Sequence, residues 1–214
     1  MDSATCLAWA TRRGRRVHAL TVGYGQRHAR ELLAARALAR HYRVERHVEL
    51  RLALGPLLAS TLTRRDRPLP HGGPRADRIP STYVPARNTI LLSSALGYAE
   101  SEGLDEIVLG ANAIDYSGYP DCRPEFLRAF ERVARLGTKA GRAGRRIRVR
   151  APLLRLSKAG IVRAGERLGV PWGLTWSCYA GGRSPCGRCD SCRLRARGFR
   201  AAGVTDPTVR GRVA

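Results

Sequence analysis

The chain of 214 residues carries 39 Lys+Arg against 17 Asp+Glu, a formal charge of +22. A hydrophobic fraction of 43% is enough for a proper core and argues against disorder as the main state. No apolar run approaches the ~18–20 residues of a membrane span, and Met1-Asp2-Ser3-Ala4-Thr5-Cys6 lacks the basic start and apolar stretch of a secretory signal. The expected address is cytoplasmic, and the length suits one domain with at most a small appendage.

A basic surface attracts phosphates, and nucleic acid is its usual partner. Here nearly every basic residue is Arg, with Lys139 and Lys158 the only lysines, and no dense tract occurs. Alongside abundant Ala, Gly, Leu and Pro, this is what GC-rich codons produce. Direct nucleic-acid binding is therefore the minority reading.

In chain order, Asp2-Ser3 opens a helix over Thr5-Cys6-Leu7-Ala8-Trp9-Ala10. A hydroxyl and free N–H groups at a positive helix end suit a pyrophosphate, while Asp2 or Ser3 acting as a simple cap is the bland reading. Residues 16–22 (RVHALTV) predict a buried strand ending at Gly23-Tyr24-Gly25, and residues 26–41 a helix with Ala29, Leu32, Leu33 and Ala37 on its apolar face. Residues 44–50 predict a strand. From Gly55 to Pro85, prolines, glycines and charges dominate, which predicts a long functional loop or lid.

A helix is expected from Arg87-Asn88 to about Ser101, and a fully buried parallel strand over residues 106–110. The polar loop 111–123 carries Asp115, Tyr116, Tyr119 and Asp121. Pro124 suits a helix start, with Phe126, Leu127, Phe130 and Val133 as that helix's buried face. Residues 147–150 predict a last strand, residues 157–168 a helix capped by Ser157, and residues 191–201 a terminal helix. Alternating strands and helices predict the α/β class, an open parallel sheet with helices on both faces. Ligands bind such sheets beyond the carboxyl ends of the strands, here the loops after Val22 and Gly110.

Cys178 precedes Cys186 by eight residues, and Cys186, Cys189 and Cys192 form a CxxCxxC run. Two intervening residues let neighbouring thiolates converge on one ion, and four of them make a closed structural zinc site. Iron–sulfur proteins share CxxCxxC but place the fourth cysteine downstream, before a proline. Here it lies upstream, which favours zinc.

Asp2-Ser3-Ala4-Thr5-Cys6, Tyr24-Gly25-Gln26-Arg27-His28, Val84-Pro85-Ala86-Arg87-Asn88, the tract Asp115 to Arg123 and the four-cysteine tail follow one another in that order. The chain resembles the 7-cyano-7-deazaguanine synthase family of the PP-loop (N-type) ATP pyrophosphatase superfamily along essentially its whole length. The resemblance implies an adenine nucleotide alpha hydrolase-like fold, with a pyrophosphatase domain over 1–170 and a zinc-binding tail, 171–214, packed on it. The superfamily's loop reads Ser-Gly-Gly-x-Asp-Ser after a first central strand. This chain begins at the x, so that strand is expected to be missing and the true start to lie upstream of Met1.

The implied activity is ATP-dependent conversion of 7-carboxy-7-deazaguanine and ammonia to 7-cyano-7-deazaguanine, with ATP, Mg²⁺ and structural Zn²⁺. By resemblance, Asp2, Ser3, Ala4 and Thr5 belong to the pyrophosphate loop, and Arg87, Asn88 and Lys158 contact ATP. For Arg87 and Lys158, a plain helix boundary is almost as good a reading. Tyr24, Asp115, Tyr116, Asp121 and Arg123 are candidates for reading the deazapurine and its carboxylate. Gly23 stands where an acidic residue is expected before Tyr-Gly-Gln. A tRNA-modifying PP-loop enzyme (a thiolase or lysidine-type ligase) and an inactive, truncated zinc protein are the alternatives. No membrane partner is expected, and a homodimer is left open.

Overall fold

The structure is a computed structural model that describes residues 1–27, 29–64, 66–71, 79–112 and 118–209. Helix α1 (Asp2–Arg12) precedes β1 (His18–Gly23), which pairs in parallel with β2 (Arg46–Arg51) in the register His18↔Arg46 to Gly23↔Arg51. Helix α2 (Arg30–His41) makes the crossover between them. It starts later than the sequence predicts, because Gln26 Oε1 accepts the Tyr24 backbone N–H at 2.8 Å and ties residues 24–26 into a turn. His28 lies outside the described residues.

Helix α3 (Arg87–Ser101) leads to β3 (Glu106–Val108), and α4 (Pro124–Gly137) with the short α5 (Lys139–Arg142) leads to β4 (Arg148–Arg150). β3 and β4 pair in parallel, Glu106 opposite Arg148. The α/β class and the parallel pairing are as expected. Among the described residues, however, the strands form two separate two-stranded sheets, not one open sheet. Helices α6 (Lys158–Leu168) and α7 (Asp190–Ala202) complete the frame. No described helix is long and apolar enough to cross a membrane.

Two cores organise these elements. Leu92, Leu96 and Ala99 of α3 pack with Ile107, Val149 and the α4 residues Leu127, Phe130 and Ala134. Val133, expected on that buried face, is 54% exposed. At ~100° per residue it sits about 120° round the helix from Leu127, off the stripe that Ala134 completes. Leu33 of α2 is likewise half exposed, and Leu38 and Ala39 take the buried positions instead.

The second core joins elements from both ends of the chain: Ala4 and Ala8 of α1, Val162 of α6, Trp172 and Phe199 of α7. Gly165 matters there, because any Cβ on it would intrude into the Trp172 ring. Ser157 caps α6 as expected, its Oγ accepting the Gly160 N–H at 3.2 Å.

Candidate functional site

Three clusters gather the residues with chemical potential. The first lies at the start of α1, a helix end whose free N–H groups carry partial positive charge. Lys158, the first residue of α6, reaches across 156 positions of sequence so that its Nζ donates to Asp2 Oδ2 at 2.7 Å. The pair is largely enclosed, with side chains 11% and 26% exposed. Asp2 Oδ1 is buried and has no hydrogen-bond partner among the described residues.

Gly110, just after β3, permits this closeness. A Cβ there would stand 3.1 Å from Asp2 C and Ser3 N, so the strand's end passes directly behind the helix start. Ser3 is exposed, whereas Ala4 and Thr5 are buried, and Thr5 Oγ1 donates back to Met1 O at 3.3 Å. The side chains of Ala4 and Thr5 belong to the core, and the Thr5 N–H is spent on Met1 O at 3.1 Å, so the backbone N–H of Ala4 is what the two residues leave open to a ligand. Cys6 donates to Leu109 O, and burial, with Asp2 nearby, pushes its thiol up to about 12.

The second cluster surrounds the start of α3. Ala86 adopts a left-handed conformation (φ 51°) that turns the chain into the helix. The Arg87 guanidinium lies 5.9 Å from the centre of the buried Tyr24 ring, and its Nε and Nη2 both donate to Asn88 Oδ1 at 3.3 Å. Burial alone would lower the Arg87 pKa, but Tyr24, Cys122 and Tyr119 facing it hold the pKa above its ordinary value. Burial raises the Tyr24 phenol.

Asn88 is engaged on three sides. Its backbone N–H donates to Asp121 Oδ2 at 2.9 Å, and its Nδ2 donates to Asp121 O at 3.2 Å and Cys122 Sγ at 3.0 Å. Asp121 thus serves as the acidic cap that α3 lacks within its own first turn. Cys122, 3% exposed, is a packed thiol in that network. Thr82 Oγ1 and Tyr119 OH share a hydrogen bond of 2.9 Å, and Tyr119 stacks on Tyr83 at 5.9 Å.

The candidates expected from sequence are thus distributed unevenly. Asp2 and Lys158 come together. Arg87, grouped with the nucleotide residues on sequence, packs instead with Tyr24 from the substrate set. Arg123 points outward and lies 4.0 Å from the exposed Glu125. Asp115 and Tyr116 lie outside the described residues, as do positions 72–78 of the expected lid. Tyr83 was not singled out, while Tyr119 entered only as a member of the polar loop and Gly110 only as the residue before an expected ligand loop, neither with a role of its own.

The third cluster is the cysteine knuckle. The sulfurs of Cys178, Cys186, Cys189 and Cys192 all lie within 4.8 Å of one another, and no cysteine forms a disulfide. A tetrahedral zinc with Zn–S of ~2.3 Å needs sulfurs about 3.8 Å apart, and Cys186 and Cys192 already stand 4.0 Å apart. Backbone N–H groups point at the sulfurs, Ala180 and Cys186 towards Cys178 and Cys189 towards Cys186. Such donors stabilise thiolates, so the donor set fits a four-coordinate soft metal ion. Cys189 is the N-cap of α7 and Cys192 lies in its first turn. Cys178 arrives from the segment after Trp172, where the Trp176 indole N–H donates to Cys178 O at 2.8 Å.

Comparison with known proteins fits this geometry. The family described as "Queuosine biosynthesis protein QueC" matches residues 1–203. A 7-cyano-7-deazaguanine synthase of Anaeromyxobacter sp. (strain Fw109-5) is 54% identical over 214 residues, 98% of this chain and 91% of the relative. One of Xanthomonas campestris pv. campestris (strain B100) is 57% identical over 211 residues, 97% of this chain and 92% of the relative. One of Aromatoleum aromaticum is 53% identical over the same shares of both chains.

Proposed function

The chain belongs to the queuosine biosynthesis protein QueC family, and from that premise we propose that it is an ATP-dependent carbon–nitrogen ligase. Its substrates are 7-carboxy-7-deazaguanine and ammonia, and its product is 7-cyano-7-deazaguanine. The observation that carries this reading is the match to that family over residues 1–203, and the meeting of Asp2 and Lys158 at the start of α1, backed by Gly110, supports a nucleotide site there.

The chemistry explains why ATP is needed. A carboxylate is a poor electrophile because its leaving group would be oxide. Transfer of an adenylyl group to one carboxylate oxygen releases pyrophosphate, and ammonia then displaces that oxygen as AMP, forming an amide after proton loss. A second adenylyl transfer to the amide oxygen lets it leave in the same way. Loss of the remaining N–H protons closes the nitrile. The sum is one carboxylate, one ammonia and two ATP giving one nitrile, two AMP and two pyrophosphates.

What the protein adds is positioning and charge stabilisation. The start of α1, with the exposed Ser3 and the backbone N–H of Ala4, supplies donors for pyrophosphate, Thr5 closing the first helical turn behind them, and Lys158 supplies a compact cation. The unpartnered Asp2 Oδ1 suits an Mg²⁺ ion, whose role when bound is to offset phosphate charge. Arg87 holds nucleotide or phosphate oxygens, and Asn88, expected beside it in that role, has its donors taken by Asp121 and Cys122 and instead orients the Arg87 guanidinium through Oδ1. Tyr24, with Asp115, Tyr116, Asp121 and Arg123, reads the flat deazapurine. Zinc in the knuckle is structural, within a tail (171–214) packed on the catalytic part (1–170). The half-burial of β1 along its whole length supports reading the two strand pairs as flanks of one open sheet.

The test is direct. The chain incubated with ATP, Mg²⁺, ammonium and 7-carboxy-7-deazaguanine should form the nitrile, seen by mass spectrometry. A heavy-oxygen label in the substrate carboxylate should appear in AMP. Unchanged substrate overturns the reading.

A further inference from the structure

Helix α7 starts on the cysteine knuckle, with Cys189 as its cap and Cys192 in its first turn. Six residues beyond Cys192, about 9 Å along the axis at ~1.5 Å per residue, Gly198 lies against the first residue of α6. A Cβ on Gly198 would stand 2.9 Å from Lys158 Cβ and 3.3 Å from the Lys158 carbonyl carbon and oxygen. Two of those three atoms are helix backbone, which cannot swing aside as the end of a long side chain can. Gly198 therefore sets how closely α7 approaches Lys158.

α7 is not free to rotate away from that contact. One residue later, Phe199 is 2% exposed and packs edge-on against Trp172. One turn before Phe199, Arg195 is fixed by Asp206 on one side and Thr175 on the other. From the contact, Lys158 extends so that its Nζ meets Asp2 Oδ2 at 2.7 Å. A continuous path thus runs from the cysteines through a rigid helix to the ion pair at the start of α1.

We propose that α7 is the lever through which the metal knuckle holds Lys158 against Asp2, with Gly198 as the positioning residue. The geometry stands alone, but its meaning for catalysis rests on the nucleotide role proposed for Lys158. A metal ion in the knuckle fixes the first turn of α7, and close packing at Gly198 carries that constraint to Lys158 Nζ.

The chain's lysine content makes this measurable. Lys139 is exposed and Lys158 is shielded, and there is no third lysine. Acylation of the full chain with a small activated ester, read by peptide mass spectrometry, yields a Lys158:Lys139 ratio with its own internal control. In G198A with zinc bound, the ratio should rise about 5–30-fold, the opening factor expected for an overpacked contact. Stripping metal from the wild-type protein with a chelator should raise the same ratio, and returning zinc should restore it.

An unchanged ratio in G198A overturns the positioning role. An unchanged ratio in metal-free protein that keeps its helical circular dichroism overturns the lever. If chelation unfolds the chain, G198A at matched zinc content decides alone. ATP with Mg²⁺ should lower the wild-type ratio; if it does not while G198A raises it, the nucleotide reading of Lys158 fails and the lever stands.

Discussion

Replacing Arg195 with Met removes a buried cation while keeping most of its volume. Arg195 and Asp206 are each only 6% exposed in their side chains, and the guanidinium meets the carboxylate in a two-pronged contact of 2.6 and 2.9 Å. Its remaining donors reach Thr175 Oγ1 at 2.7 Å and, at 3.4 Å, Ser177 Oγ and Trp172 O. Breaking a buried pair by removing one partner costs ~3–5 kcal/mol, because the other charge is left uncompensated. Asp206 keeps two other donors, Thr208 N at 3.0 Å and Thr208 Oγ1 at 2.9 Å. R195M should therefore fall at the lower end, about 3 kcal/mol, a large part of a typical domain's stability.

Urea denaturation followed by circular dichroism measures this loss. The double variant R195M/D206L should recover most of it, since two apolar groups leave no orphaned charge. The pH dependence has a definite sign. Burial alone would raise the Asp206 pKa, but the hydrogen bond from Arg195 holds it below its ordinary value. The pair's contribution is then fully present above the unfolded carboxylate value of ~3.9 and is lost as pH falls through the depressed folded value. The gap between wild type and R195M should close on the acid side of that value. A cost under ~1 kcal/mol, a double variant as unstable as the single, or a gap independent of pH would refute the reasoning.

Metal analysis should find about one zinc per chain, lost in C189S, because four thiolates complete the coordination shell; a visible band of the iron–sulfur type would sink the zinc assignment. G165A should lower stability by ~1–3 kcal/mol, since its methyl group enters the Trp172 ring; an unchanged melting temperature would contradict that packing. S157A should cost ~1 kcal/mol by removing the cap on Gly160, measured by the same denaturation. Despite the charge of +22, tRNA binding should lack the site-specific affinity of a tRNA-modifying enzyme, and tight selective binding over random RNA in a filter assay would revive that alternative.

Local patterns in the sequence carried the helices and the knuckle. Ser157 before an amphipathic run announces α6, and Pro124 announces α4, because caps and proline geometry act within one turn. The cysteine spacing announces a metal site for the same reason, as two-residue gaps bring thiols together whatever surrounds them. Burial was less legible, as Val133 and Leu33 show: which edge of an apolar stripe is covered depends on the partner helix or strand. The ion pair was least legible. Asp2 and Lys158 are separated by nearly the whole chain, and their meeting depends on Gly110, Gly165 and Gly198, whose missing side chains matter only once their neighbours are known. Arg87 shows the same limit, since its neighbour Tyr24 arrives from the loop after β1.

The excess of basic residues gives the two enclosed ion pairs their significance. With 17 acidic residues among 39 basic ones, several surface carboxylates pair with an arginine. Arg16–Glu45, Arg36–Glu49 and Arg46–Glu102 are pairs of this kind, open to water and individually worth little. Asp206 instead leaves that arginine-rich surface to meet Arg195 on α7, and Asp2, no deeper than Glu49 or Glu102, meets a shielded cation, Lys158 on α6. An interior carboxylate such as Asp206 would have been solvated more cheaply outside, so its placement answers to geometry and not to charge balance. The first pair ties α6 to the start of α1, and the second ties α7 to Asp206, beside the segment that delivers Cys178. Around these fixed contacts, and around the buried Arg87 and the cysteine knuckle, the remaining positive charge is a diffuse field that favours anionic ligands without selecting any.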